Sequence, residues 1–135
     1  MSLSFDRLQN MQTSLEDAPT YTVLLVEPDP DVRATLNSIL TSKGYAVYTS
    51  DSHRKALVML NTMPFSVLLC CSSPRRMTSA EFAQEVKSYQ PSLPVIVAAN
   101  AGEHPDLHEA EAVNRVLNKP IVIDEIDKAI QELVD

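Results

Sequence analysis

The stretch SVLLCCSSPRR, residues 66–76, lies near the middle of the 135-residue chain and decides how the rest of it is organised. Its first six residues form a nearly continuous apolar run, which is typical of a strand buried on both faces, and the Ser-Ser-Pro that follows predicts a loop. Such strands occur in parallel sheets that helices cover on both sides. Because ligands of these sheets bind beyond the carboxyl ends of the strands, we expect residues 70–73 to lie at the functional edge.

The segments on either side alternate between strand and helix patterns. The central run is the third of five predicted strands, and the others cover residues 21–26, 45–49, 95–99 and 115–118. Between and after the strands, apolar residues at spacings of three and four predict five helices, the weakest of them over residues 102–113. The predicted inner faces are Val32, Leu36, Ile39 and Leu40; Ala56, Leu57 and Leu60; Phe82, Val86 and Tyr89; Leu107, Ala110 and Val113; and Ile123, Ile126, Ile130 and Leu133.

Five strands alternating with five helices predict an α/β fold, a doubly wound parallel sheet with right-handed connections. The flavodoxin-like strand order 2-1-3-4-5 is the expected one, and it opens a crevice between the first and third strands. That crevice brings Glu27, Pro28 and Asp29 close to Cys70, with Lys119 closing it from the fifth strand. Because adjacent residues of a strand point to opposite faces, we expect only Cys70 of the two cysteines to face the crevice.

Composition narrows the function classes. The net charge of −7, without a cluster of Lys and Arg, argues against binding of nucleic acid or anionic lipid by this domain. The chain has no run long enough for a membrane span and no signal-peptide pattern, so we expect a cytoplasmic protein. Its two glycines exclude glycine-rich phosphate loops, and two adjacent cysteines are no disulfide framework.

Residues 1–20 are predicted to be an N-terminal extension to a single domain over residues 21–135. Phe5, Leu8, Met11 and Leu15 recur at helical spacing, so the extension is either a short amphipathic helix or a tail. Elsewhere, His53, His104 and His108 are scattered among polar neighbours without ligands at metal-binding spacing. No metal site is predicted.

Residues 21–135 resemble the receiver domain of two-component response regulators. The resemblance rests on VLLVEPDPDVR from residue 23, PFSVLLCCSSPRRM from residue 64, LPVIVAANAGE from residue 93 and LNKPIVIDEI from residue 117. In that family an Asp at the end of the third strand accepts a phosphoryl group, and two acidic residues after the first strand hold Mg²⁺. A hydroxyl residue after the fourth strand and an aromatic residue in the fifth follow the phosphoryl group, and a lysine pairs with it.

The acidic positions of the family depart from its pattern here. Cys70 stands in place of the phosphoacceptor Asp, Glu27 in place of the first acidic residue, and Pro28 in place of the second. Asp29 follows as a remnant of the acidic pocket. Mg²⁺ prefers oxygen ligands, so we expect its binding to be weak or absent, and the sequence indicates no other cofactor.

The positions of the hydroxyl and aromatic residues that follow the phosphoryl group in the family differ here as well. Ala99 replaces the hydroxyl residue and Val116 the aromatic one, whereas Lys119 is retained. Pro120 follows it, and the peptide bond before this proline is typically cis in the family. The loop after the third strand is also predicted to be one residue longer than usual.

These departures predict a degenerate receiver that acts in signal transduction as a phosphorylation-independent protein interaction module. Its partner would be another signalling protein, an output domain, or a second copy bound through the faces of the predicted fourth and fifth helices. The sequence shows no base-nucleophile pair of the kind that an enzyme needs, so no enzymatic activity is predicted. Two alternatives stay open: a phosphorelay receiver phosphorylated at Ser72, Ser73 or Asp29, and a redox switch through Cys70.

Overall fold

A five-stranded parallel sheet in the order β2-β1-β3-β4-β5 organises the chain. The computed structural model describes residues 20–71, 79–100 and 111–134. The strands are β1 (Thr22–Val26), β2 (Ala46–Ser50), β3 (Val67–Cys71), β4 (Val95–Ala99) and β5 (Arg115–Asn118). The helices in the described residues are α1 (Pro30–Ser42), α2 (His53–Leu60), α3 (Ser79–Tyr89) and α4 (Ile123–Val134).

The predicted fold class and strand order are confirmed, and the strand bounds agree with the prediction to within one residue. Four of the five predicted helices lie in the described residues, and α4 is the predicted fifth. The predicted helix over residues 102–113 falls mostly outside them, and residues 111–114 form a turn that leads into β5. The predicted N-terminal extension lies outside the described residues up to residue 19.

Two apolar layers cover the sheet. The layer on one face joins β-strand residues to Ala56 and Leu60 of α2 and to Phe82 of α3. The layer on the other face joins the sheet to α1 and α4. All five residues of β3 and all five of β4 are buried, which is what their continuous apolar sequences predict for central parallel strands.

Capping residues fix where the first two helices begin. Asp29 accepts hydrogen bonds from the backbone N–H groups of Asp31 and Val32 and so caps α1. Ser52 caps α2 by accepting from the N–H of Lys55 at 3.2 Å. Two residues of the predicted inner faces are exposed instead, because Val32 lies in the first turn of α1 and Tyr89 is the last residue of α3, where each helix leaves the sheet.

A buried tyrosine joins the final helix to the start of β2. Tyr45 is only 6% exposed, and its hydroxyl donates to the Asp127 carboxylate and accepts from Gln131 Nε2 at 3.2 Å. Burial, followed by the hydrogen bond to Asp127, raises the pKa of Tyr45 to about 12, so the hydroxyl stays protonated at neutral pH. This contact holds α4 in register with the sheet edge.

Replacing Tyr45 by Phe removes both hydrogen bonds while keeping the ring in the core. We expect Tyr45→Phe to lower the free energy of unfolding by about 1 kcal/mol, the usual net value of one such bond. The matched control is Tyr48→Phe, since Tyr48 is 43% exposed. Urea denaturation of the three proteins measures the difference, and equal loss in both variants would contradict a specific role for the Tyr45 hydroxyl.

Candidate functional site

The carboxyl ends of the strands meet at one edge of the sheet, as the strand order requires. Val26 pairs with Cys70, and Cys71 pairs with Ala98 of β4. Glu27 follows β1 directly, and its backbone N–H donates to the carbonyl of Ser50 at 3.0 Å. This edge is therefore the candidate site, and its floor is the end of β3.

The fourth and fifth strands close the other side of the site. Ala99 pairs with Asn118, and the backbone N–H of Lys119 donates to the Ala99 carbonyl at 2.9 Å. The Lys119–Pro120 peptide bond is cis. Ala99 is buried and Val116 packs against the same core layer, so these two positions bring methyl groups, and neither a hydroxyl nor an aromatic ring, to this side of the crevice.

The two cysteines of β3 point to opposite faces of the sheet. Cys70 belongs to the layer under α2 and α3, together with Val26 and Phe82. Its sulfur lies 3.5 Å from Nε2 of His53, whose ring stacks on Phe82 with the ring centroids 4.2 Å apart. Cys71 belongs to the opposite layer, under α1 and α4.

Burial is the larger cause that raises the pKa of both the Cys70 and the Cys71 thiol, and the Glu27 carboxylate raises both as well. The expectation that Cys70 alone of the two cysteines faces the crevice stays a prediction. Strand β3 ends at Cys71, as predicted, and its last paired residues are Cys70, opposite Val26, and Cys71, opposite Ala98. Cys71 is 1% exposed and Glu27 is 5% exposed.

Both thiols are held in the protonated form. Burial, with Glu27 adding a repulsive negative charge, raises the pKa of Cys71 far above its usual range. Burial is likewise the main cause that raises the pKa of Cys70 to about 12. The positive charge of Lys119 lowers the pKa of both thiols, but the effect of burial is larger. A protonated, buried thiol is a weak nucleophile and a poor metal ligand.

The carboxylates of the acidic turn after β1 accept hydrogen bonds from nearby backbone N–H groups. Glu27 Oε2 accepts a hydrogen bond from the N–H of Asp29 at 2.9 Å. The Asp29 carboxylate is itself occupied with capping α1. Arg33 Nη1 donates to the carbonyls of Glu27 at 2.9 Å and Pro28 at 3.3 Å, which fixes the turn to the helix.

These residues do not fit a magnesium ion. Pro28 brings no ligand atom from its side chain, Asp29 is engaged at the helix cap, and Cys71 is a soft, protonated ligand. Within residues 20–71, 79–100 and 111–134, no three His, Cys, Asp or Glu side chains are grouped so that they could hold a metal ion. Glu27 is thus the remaining carboxylate of the acidic pocket with an oxygen directed to the crevice.

His53 also belongs to this region, although the polar residues around it in the sequence did not indicate this. Its position at the start of α2, three residues after the end of β2, is the signal that could have found it, because the residues after parallel strands gather at the same edge. Burial lowers the pKa of His53, so the ring beside Cys70 is neutral at pH 7. The residues Ser72, Ser73, Arg75, Arg76, His104 and His108 lie outside the described parts of the chain. So does the loop that was predicted to be one residue longer than usual.

No helix in the described residues is long and apolar enough to cross a membrane.

Comparison with known proteins gives concordant matches. Residues 23–131 match the family model of the response regulator receiver domain. The chain is 30% identical over 115 residues to the transcriptional regulatory protein GlrR of Escherichia coli K12, which covers 84% of this chain and 26% of GlrR. The chain thus spans about a quarter of the length of that relative.

Two solved structures share the fold closely. The first, described as adenylate cyclase from Rhodopirellula baltica, has a TM-score of 0.80 and 27% identity, with 86% of this chain and 88% of that chain covered. The second, FixJ-N, has a TM-score of 0.78 and 26% identity, with 87% and 95% covered.

The raised pKa values and the burial of Cys70 and Cys71 predict low reactivity. With a thiol-specific disulfide reagent at pH 8, we expect both native thiols to react at least roughly 100-fold more slowly than a free thiol. The Val58→Cys variant supplies the matched control, because Val58 is 63% exposed. Its added thiol should react fast and more so as pH rises through about 8.5, the ordinary thiol pKa.

Absorbance of the released reagent measures the rates, and unfolding in guanidinium should release all native thiols. Fast native modification of Cys70 would contradict this account of the site and would favour the redox alternative.

Proposed function

Since the chain belongs to the response regulator receiver domain family of two-component signalling, we propose that it is a degenerate member that works without an aspartyl phosphate. Receiver domains are generally signalling modules without turnover of their own, and they act with other signalling proteins or output domains. For this chain we propose a phosphorylation-independent protein interaction module in the cytoplasm. The observation that carries the proposal is the pair of buried, protonated thiols at the end of β3, where the family has its phosphoacceptor carboxylate.

Phosphoryl transfer to a receiver requires a nucleophile and groups that neutralise negative charge. A carboxylate at the end of β3 must attack, while a metal ion and a cation neutralise the charge that gathers on the phosphoryl oxygens. No Asp or Glu occurs between Asp51 and Glu81, so β3 and the loop after it offer no carboxylate. Cys71 occupies the place beside Glu27, and its thiol is protonated.

We assign the phosphoacceptor position to Cys71 in place of Cys70. The face of the sheet supports this assignment, because the Cys70 thiol is occupied beside His53 in the layer under α2 and α3, whereas Cys71 lies on the opposite face. Glu27 and Lys119 are the parts of the family's site that remain. With methyl groups at Ala99 and Val116, the hydroxyl and aromatic positions that would follow a phosphoryl group are also missing.

The two alternatives have less support. Phosphorylation at Asp29 would compete with its role as the cap of α1, and a redox switch at Cys70 requires a thiolate that burial disfavours. The contact face of the module is proposed to include α4, either for a partner or for a second copy of the chain.

Incubation with acetyl phosphate and Mg²⁺, followed by intact-mass spectrometry, tests the proposal. We expect no phosphoryl mass on the wild-type protein. We expect the double variant Cys71→Asp with Pro28→Asp to gain one phosphoryl group, because it places a carboxylate and a metal ligand beside Glu27 and Lys119.

The matched control is Cys70→Asp with Pro28→Asp, which puts the new carboxylate on the other face of β3 and should gain none. Circular dichroism checks that each variant folds. The result for the wild-type protein does not depend on the variants. A stable phosphoryl adduct on the wild-type protein at Asp29, Ser72 or Ser73 would overturn the proposal in favour of the phosphorelay alternative.

A further inference from the structure

Charge is distributed unevenly along the chain. Residues 52–80 contain no Asp or Glu and carry Arg54, Lys55, Arg75 and Arg76, whereas the other residues carry seven of the eleven basic and all eighteen acidic residues. A protein with a net charge of −7 thus has one segment of purely positive charge. Segregation of this kind sets up a local potential opposite in sign to the rest of the surface.

Within the described residues, helix α2 presents this positive charge. Arg54 and Lys55 are exposed in its first turn, and that turn holds no acidic residue. The amino terminus of a helix adds its own partial positive charge. The start of α2 therefore favours a negatively charged partner, in contrast to α4, whose first turn contains Asp124 and Glu125.

A groove lies directly beside these cations. Its volume is about 480 Å³, and the residues lining it come from α1, the end of β2 and α2: Arg33, Thr49, Ser50, Asp51, Lys55, Val58 and Met59. Val58 is 63% exposed, the most exposed of the large apolar residues in the described chain. The groove thus combines two cations and one carboxylate with an apolar wall.

The cations of the groove are available for exchange with a ligand. Lys55 Nζ lies 3.1 Å from the Asp51 carboxylate, but both side chains are largely exposed, and such pairs contribute little to stability. Arg33 Nη1 donates to two backbone carbonyls, and these contacts do not use all five N–H donors of a guanidinium.

We propose that this groove binds an acidic segment of a partner protein that inserts an apolar side chain against Val58 and Met59. The carboxylates of that partner segment would pair with Lys55 and Arg33, which would orient the segment and raise its association rate. The buried apolar contact would contribute to the affinity of the complex. Val58 supplies an exposed apolar side chain at the wall of this concavity, so contact with an apolar side chain of the partner would remove that surface from water. This binding mode rests on the proposed role of the protein as an interaction module. It specifies the chemistry of a partner that binds at a face other than that of α4.

A synthetic amphipathic peptide with Glu on one face and Leu and Phe on the other tests the proposal by NMR titration of the ¹⁵N-labelled domain. We expect amide shifts centred on Thr49, Lys55 and Val58, and at least about tenfold weaker binding at 0.5 M than at 0.05 M salt. A peptide with Lys for Glu, and one with Ser for Leu and Phe, should each bind at least roughly tenfold more weakly.

The test variant is Lys55→Glu with Val58→Ser, which should lose binding by roughly tenfold or more. It should still fold, because Ser52 and a Glu three residues later form a capping box and Val58 is exposed. The control is Lys43→Glu with Tyr89→Ser, matched charge and polarity changes at exposed positions outside both the groove and α4, and it should bind as the wild type does.

Shifts centred on α4, an equal loss in both variants, or equally tight binding of a DNA duplex would overturn the proposal. None of these outcomes bears on whether the protein accepts a phosphoryl group, so failure here and failure of the proposed function are distinguishable.

Discussion

The alternation of side chains along β3 determines what this protein can do at its candidate site. The strand is buried on both faces, so each of its residues must go either under α2 and α3 or under α1 and α4. Pairing with β1 fixes that choice, since Val26 lies opposite Cys70 and the next residues, Glu27 and Cys71, come together at the edge. A slip of one residue would bring Cys70 there instead and would also turn the rest of the strand inside out.

The chemistry of the edge follows from that contact. Glu27 is buried and held by the Asp29 N–H, and the neighbour that β3 gives it is a neutral thiol. Two carboxylates side by side at this edge would repel one another unless a cation lay between them, whereas a thiol and a carboxylate coexist without one. We therefore propose that the site does not need a metal ion, since β3 brings no carboxylate that could bind one or attack a phosphoryl group.

Much of the fold could be predicted from sequence because it depends on patterns that local residues repeat. The apolar runs predict the bounds of each strand to within one residue. The order of the strands follows from the alternation of strands with helices and from the right-handed connections between them. The opposite faces of Cys70 and Cys71 could be predicted from side-chain alternation, whereas the residues around each thiol could not, because they come from distant segments. The inward roles expected for Val32 and Tyr89 failed because periodicity does not show where a helix leaves the sheet. His53 and Arg33 act through contacts between distant segments, which no local pattern contains.

The central claim is that the edge formed by Glu27, Cys71 and Lys119 does not capture a metal ion with a phosphoryl group. Amide NMR spectra of the wild-type domain with Mg²⁺ and beryllofluoride, a mimic of the aspartyl phosphate, test it most directly. We predict unchanged spectra at saturating reagent. Saturable shifts confined to Glu27, Cys71 and Lys119 would contradict the claim, because they would show that the crevice still binds the metal and the phosphoryl-like anion.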